Sequence, residues 1–324
     1  MIPFEDLGCT DELKNEFLSF CKSRFEQLHL GRVVSLDRTF PLVNTHKEEL
    51  RAELCAAIKK SAEPIVAVGD WVALEQPKEH EKAIIRAVLA RHNEITRIKR
   101  VGREGQEQRQ VLASNVNTVF VCVNSKAKRQ ELRRVVRQIA AVYGCSAKPV
   151  VLLMKADLAS EKAIEAVRNE LSEIFPEVKI LAVSDKDLAS TEHVRACCLH
   201  KTTSLLLGES GVGKSTLANA LVGKEEMQTA HVRERDNKGR HTTVSRRMLR
   251  IPGGGLLIDA PGLRTMQILD LNHTLTAAFN DISEAAQRCK YSNCTHMHEP
   301  GCAVKESVSP ARLKAYHMLS GPMC

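Results

Sequence analysis

Gly208-Glu209-Ser210-Gly211-Val212-Gly213-Lys214-Ser215-Thr216 is the stretch on which the fold turns. It fits G-x-x-x-x-G-K-[ST] without exception, after the apolar run Ser204-Leu205-Leu206-Leu207 and before STLANALVG, residues 215–223. Strand, glycine-rich turn and helix in that order are the context that makes the pattern a phosphate-binding loop. Gly208, Gly211 and Gly213 would let backbone N–H groups close around a β-phosphate. Lys214 would bridge the β- and γ-phosphates and the Ser215 hydroxyl would hold Mg²⁺, with Glu209, Ser210, Val212 and Thr216 completing the cradle.

Outward from the loop the chain alternates strand and helix. Strands are predicted at Thr118–Val123, Val150–Met154, Val178–Val183, Ser204–Leu207 and Leu256–Asp259, with helices at Arg129–Tyr143, Ser160–Ile174, Thr191–Leu199 and from Lys214. Near-continuous Val, Ile and Leu strands between helices predict a mostly parallel, doubly wound α/β sheet. Upstream, GRVVSL, TFPLVNT, IVAVGDWVAL, AIIRAVLA and EITRIKR read as about five strands of a small Greek-key barrel. Leu13, Phe17, Phe20 and Phe25 recur at helical spacing and predict an N-terminal amphipathic helix packed on the domain after it. Beyond Gln267 the sequence turns polar and Cys/His-rich, a third small unit. The expected divisions are residues 1–27 (helix), 28–105 (barrel), 106–268 (α/β domain) and 269–324 (tail unit).

Composition agrees with several domains: 324 residues exceed one ordinary core. The longest apolar run, Val150 to Met154, is far short of the ~18 residues that span a bilayer, so no membrane partner is expected. The opening MIPFEDLGCTDELK carries acid where a secretory leader carries Lys or Arg, which predicts a cytoplasmic protein. Cys9, Cys21, Cys55, Cys122 and Cys145 stand singly among apolar residues, as reduced thiols do. No Cys-x-x-Cys occurs, which argues against a thiol oxidoreductase. The +8 net charge suits an anionic partner without proving one.

The base is read by a separate element. One Lys-x-Asp occurs, Lys155-Ala156-Asp157, directly after the strand VVLLM; an Asp there can accept from guanine N1 and N2 hydrogens while the Lys stem covers the ring. One strand later, Ala182-Val183-Ser184 sits where a loop would back the base. Asp259-Ala-Pro-Gly262 follows the strand LLI, as an Asp reaching Mg²⁺ through water should, with Gly262 toward the γ-phosphate. Gly239-Arg-His241-Thr242-Thr243 lies in a polar loop fit to be a switch carrying the Mg²⁺-binding Thr. Base readers therefore precede the phosphate loop, the reverse of Ras-like GTPases, and the order is a circular permutation. No second ATPase motif accompanies the loop, which disfavours an ATP-driven motor.

With these residues the sequence resembles the circularly permuted GTPases of small-ribosomal-subunit biogenesis, the RsgA or YjeQ family. The resemblance extends to VGDWV and ITRIKR, to LASNVNTVFVCVN, to GRHTT and to the Cys/His tail, almost the whole chain. It implies an N-terminal OB-fold, a central permuted P-loop GTPase domain binding GTP with Mg²⁺, and a C-terminal zinc domain. It also implies a cytoplasmic, monomeric GTPase that binds the small ribosomal subunit and its rRNA, assists late maturation, is activated there, and leaves after hydrolysis.

The tail reads Cys289-x4-Cys294-x-His296-x5-Cys302. Three thiolates and one imidazole can close a tetrahedron around a structural Zn²⁺ with no open position. His298 is a rival that spacing alone does not exclude; the resemblance places the ligand at His296.

Two positions depart from the guanine-reading pattern. Met154 stands where Asn or Thr is usual and cannot donate their hydrogen bond, so Asp157 is expected to keep guanine specificity at weaker affinity. Leu263 follows Gly262 where Ras-type proteins carry the water-orienting Gln, so hydrolysis is expected to be slow and a switch histidine, His241 or His231, to position the water. Lys214, Thr242, Thr243, Gly262 and His241 are the expected catalytic set. A nucleotide-gated RNA-binding module with negligible hydrolysis is the competing reading.

RNA contact is expected through phosphates rather than stacking, because Trp71 is the only tryptophan, whereas basic residues gather at Arg97–Arg103, Lys126–Arg137 and Arg233–Arg250.

Overall fold

The computed structural model describes residues 1–24, 27–36, 40–59, 66–77, 81–101, 106–223, 246–260 and 263–321. The expected switch residues His231, Gly239, His241, Thr242 and Thr243, and Gly262, lie outside the described residues.

A 3-10 turn at Phe4–Leu7 and helix α1 (Asp11–Arg24) open the chain. Strands β1 (His29–Leu36), β2 (Leu42–Thr45), β3 (Glu49–Leu54), β4 (Trp71–Glu75) and β5 (Ala83–Val88) come next, with the short helix α2 (Ala56–Lys59) between β3 and β4. Their order β1-β2-β3-β5-β4 closes on itself because β1 also pairs with β4, His29↔Leu74 to Arg32↔Trp71, giving an OB-like barrel. Its interior is Val33, Val43, Ala52, Val72, Leu74, Ala83 and Ile85. Gly31 permits the closure: a Cβ there would meet Val43 Cγ1 at 2.5 Å and Leu74 Cδ1 at 2.9 Å.

Five strands were expected, but one differs. EITRIKR does not join the barrel; β6 (Glu94–Val101) pairs with β7 (Gln106–Ser114) in a separate antiparallel hairpin. The fifth barrel strand is β3, whose ELRAEL carries charges and buries only Ala52, a pattern too polar to read as a strand. The expected division between residues 105 and 106 falls between the two strands of this hairpin.

The second domain contains β8 (Thr118–Asn124), α3 (Arg129–Gly144), β9 (Lys148–Met154), α4 (Glu161–Ile174), β10 (Lys179–Val183), α5 (Leu188–Arg195), β11 (Thr203–Gly208), α6 (Lys214–Val222), β12 (Arg246–Arg250) and β13 (Leu256–Asp259). The order β10-β9-β8-β11-β13 is parallel throughout, with β12 antiparallel at its side. Alternate residues enter two cores: Val119, Val121, Val151, Leu153, Leu205 and Leu207 pack on one face, while Phe120, Val150, Leu152, Leu206 and Leu257 pack on the other. Burial on both faces explains the unbroken apolar runs in the sequence.

β12 was not expected, since RRMLR hides its two buried residues, Met248 and Leu249, among arginines. It pairs with β13 and also with β1 through Ser35↔Arg247 and Leu36↔Arg246, so barrel and α/β sheet share one hydrogen-bonded sheet. Arg32 fastens the same junction. Its buried guanidinium donates to Leu7 O, to Gly69 O (3.1 Å), to Asn115 O (3.2 Å) and to Thr203 Oγ1 (3.0 Å).

The tail forms α7 (Leu271–Ala278), α8 (Asn280–Ala286), α9 (Ala303–Ser307) and α10 (Pro310–Ser320). Buried Arg312 roots it on the α/β domain, gripping Asp281 through two 2.7 Å bonds and donating to Ala278 O and, at the end of α4, to Ile174 O.

Candidate nucleotide and metal sites

The phosphate loop runs from the end of β11 to the start of α6, so the N–H groups of the first helical turn face its concavity. Gly208 is obligatory by contact, because a Cβ would meet the carbonyl oxygen of Cys122 at 2.4 Å. Gly213, the residue before α6, has φ of 112°, in the region that favours glycine. Lys214 Nζ donates to Gly208 O (2.6 Å) and Glu209 O (2.7 Å), folding its stem over the loop. Burial pulls the Lys214 amine below its usual value, against the opposing pull of the Cys122 thiol and the Asp259 carboxylate. An anion in place of the two carbonyls would favour the charged amine and oppose the effect of burial.

Lys155, Asp157 and Ser184 converge on the other side of the loop. Lys155 has a left-handed backbone, φ 58°, held by Ser125, whose Oγ donates to Lys155 O at 2.9 Å. Its Nζ reaches across to donate to Gly211 O at 2.8 Å, tying the end of β9 to the phosphate loop. Asp157 Oδ1 accepts from Ser184 Oγ (3.0 Å) and Oδ2 from Lys186 Nζ (2.8 Å). The hydrogen bond from Lys186 chiefly holds the Asp157 carboxyl below its ordinary value, with Ser184 assisting against burial. A narrow cleft opens between Lys155, Ser184, Gly213, Thr216 and Leu217.

Met154 is buried, and a Cβ on Gly213 would stand 3.3 Å from its Cε. The thioether therefore supports the phosphate loop by packing, while the polar tie between the two elements is Lys155 to Gly211. Leu263 is also buried, in the main core, and its carbonyl accepts from Gly208 N at 3.4 Å. Its side chain points away from solvent, so a water-positioning group must come from another residue. Asp259 ends β13 opposite Arg247 of β12.

Lys186 carries no signal in the sequence, although it stands two residues after Ser184; nothing but the fold puts it on Asp157. The strap 263–270 carries none either. Gln267 Oε1 accepts from Ile98 N of β6 at 2.6 Å, joining the strap to the hairpin.

In the tail, Cys289, Cys294, His296 and Cys302 each present a ligand atom, all within 4.8 Å of one another. His296 Nδ1 lies 3.6 Å from Cys289 Sγ and 3.4 Å from Cys302 Sγ, and the two sulfurs are 3.9 Å apart. Zn–S bonds of about 2.3 Å and Zn–N of about 2.0 Å put tetrahedral corners about 3.8 Å (S to S) and about 3.5 Å (S to N) apart. The donor set fits zinc. Burial, which raises the Cys289 thiol, is outweighed by the N–H groups of Val304 and Ala303 at the start of α9, which hold it low. His298 is exposed and outside the cluster.

A family model described as RsgA GTPase matches residues 88–269. A protein named small ribosomal subunit biogenesis GTPase RsgA 2 from Vibrio parahaemolyticus is 36% identical over 290 residues, 90% of this chain and 76% of that one. A relative named small ribosomal subunit biogenesis GTPase RsgA from Methanosarcina acetivorans is 37% identical over 315 residues, covering 94% of this chain and 83% of that one. The crystal structure of YjeQ from Thermotoga maritima superposes with a TM-score of 0.66 at 24% identity, over 90% of this chain and 96% of that one. YloQ, described as a circularly permuted GTPase, superposes at 0.63 and 19% identity, over 90% and 94%.

Proposed function

Because the chain belongs to the RsgA GTPase family, we propose that this GTPase is activated by the small ribosomal subunit, assists its late maturation and is released when GTP is hydrolysed. The observation that carries this reading is the 2.8 Å bond from Lys155 Nζ to Gly211 O, residues 56 apart in sequence. It supports the reading because the residues proposed as base readers lie beside the phosphate loop although they come first in the chain.

In this reading Asp157, Lys155 and Ser184 read guanine, and residues 208–216 hold the phosphates. Lys214 neutralises β- and γ-oxygens; Ser215, Asp259 and Thr242 or Thr243 hold Mg²⁺. Gly262 senses the γ-phosphate and His241 orients water. Cys289, Cys294, His296 and Cys302 hold a structural zinc. The protein works as a cytoplasmic monomer, and among the described residues no helix is long and apolar enough to cross a membrane.

rRNA contact is supported by the proximity of basic side chains from separate elements. Burial, reinforced by the nearby Arg97 of β6, lowers the Arg246 guanidinium of β12. A phosphate backbone would offset that repulsion. Leu263, buried where a water-orienting Gln would stand, gives the competing reading its one support: a nucleotide-gated RNA binder with negligible turnover.

Sedimentation of the full chain with purified small subunits tests the proposal. Binding should require GTP or a non-hydrolysable analogue, persist with the analogue, and decay with GTP. Binding indifferent to nucleotide would contradict it.

A further inference from the structure

The loop between Cys294 and Cys302 offers two histidines, of which only His296 enters the metal-ligand cluster. A single carboxylate accounts for the choice. Glu299 Oε1 accepts from Thr295 N (2.8 Å) and Thr295 Oγ1 (2.6 Å), and Oε2 accepts from Met297 N and His298 N (3.1 Å each). These four donors bracket His296 on both sides in sequence. His296 itself has φ of 63°, a left-handed conformation that disfavours a non-glycine residue. Its N–H is turned to Cys294 Sγ, its ring is buried, and Met297 and His298 are left exposed.

We infer that Glu299 is the positioning residue of the metal site, bending residues 295–298 so that His296 Nδ1 faces the thiolates and His298 faces solvent. The inference rests on reading the Cys/His cluster as a zinc site. A neutral amide of the same length cannot replace the carboxylate: one end would still accept, but the NH₂ end would confront two N–H donors. Strain at His296 would then be relieved by unbending the loop, which carries the imidazole away from the sulfurs. Residues that orient metal ligands typically change affinity 10- to 100-fold when lost.

The test uses the full chain, stripped of metal and titrated with zinc against a chromophoric chelator, and separately with cobalt(II). Glu299→Gln should weaken zinc at least about tenfold and alter the cobalt d–d bands, reporting a changed ligand field. Glu299→Asp keeps both acceptors and should recover most of the affinity. His298→Ala should leave wild-type affinity unchanged yet weaken the Glu299→Gln protein further, as His298 becomes a competing ligand. Should Glu299→Gln fail to fold, Thr295→Val removes one of the four donors and should weaken zinc by a smaller factor. Zinc affinity and cobalt spectrum of Glu299→Gln equal to wild type would overturn the inference while the zinc reading stands. A wild-type chain that takes up no stoichiometric metal would overturn both.

Discussion

Gln138 of α3 brackets the peptide of Met266 with both ends of its amide: Oε1 accepts from Met266 N at 2.7 Å, and Nε2 donates to Met266 O at 3.3 Å. Met266 belongs to the strap 263–270 that leads toward the tail unit, so this pair fixes the chain shortly after the position proposed to sense the γ-phosphate. Permutation makes that strap the direct covalent route from nucleotide site to the Cys/His unit. Gln138→Leu keeps the bulk and loses both bonds. Subunit-stimulated turnover should fall several-fold, the range expected of a coupling residue, while GDP affinity changes less than about twofold. Stimulated rates and fluorescent-GDP binding measure the two.

Asp157 gives a second prediction. Asp157→Asn removes the acceptor proposed for the guanine hydrogens, so GTP affinity should drop at least about tenfold with ATP affinity unchanged. For the wild type, a carboxyl held low by Lys186 remains charged above the ordinary carboxylate value and loses its charge only as pH falls below it. Guanine affinity should therefore be flat from pH 8 to about 5 and decline only under more acidic conditions. Isothermal titration across that range checks both statements.

Met154→Asn should act in opposite directions on binding and stability. An amide beside Gly213 gains a hydrogen bond to the loop or base, tightening GDP several-fold. Removing a buried thioether should lower stability by about 1–3 kcal/mol, read as a fall in Tm of the nucleotide-free protein.

Arg32 ties the N-terminal turn, barrel and β11 together, and burial pulls its guanidinium down to about 10, still charged at neutral pH. Arg32→Met takes this donor from the carbonyls of Leu7 and Asn115 and from the Thr203 hydroxyl, while Gly69 O keeps Asn115 Nδ2 at 3.0 Å. Destabilisation should reach about 2–4 kcal/mol, visible in urea unfolding as a lower midpoint.

The parallel sheet was legible because every central strand is buried on both faces and reads as an unbroken apolar run. β3 and β12 were not, since each hides one or two inward residues among charges that face solvent. The phosphate loop and the Cys/His spacing are local signals, and the positions of Gly208–Thr216 and of Cys289 to Cys302 could be read directly. Lys186, Gln138, Arg32 and Glu299 carry their meaning only through partners that folding brings to them. His296 was preferred to His298 on resemblance; the turn around Glu299 supplies the physical reason. Trp71, read as a lone aromatic too few for base stacking, is buried beneath Arg32 and Phe4 in the barrel junction.

The most direct test of the central claim is steady-state GTP hydrolysis by the zinc-replete protein with and without small ribosomal subunits, with ATP in parallel. A slow basal rate that rises at least about tenfold with subunits and GTP, a barrier change of about 1.4 kcal/mol, and does not rise with ATP, is the predicted result. A rate unchanged by subunits that nevertheless bind in a GTP-dependent way would contradict it, and would make the protein a nucleotide-gated RNA binder.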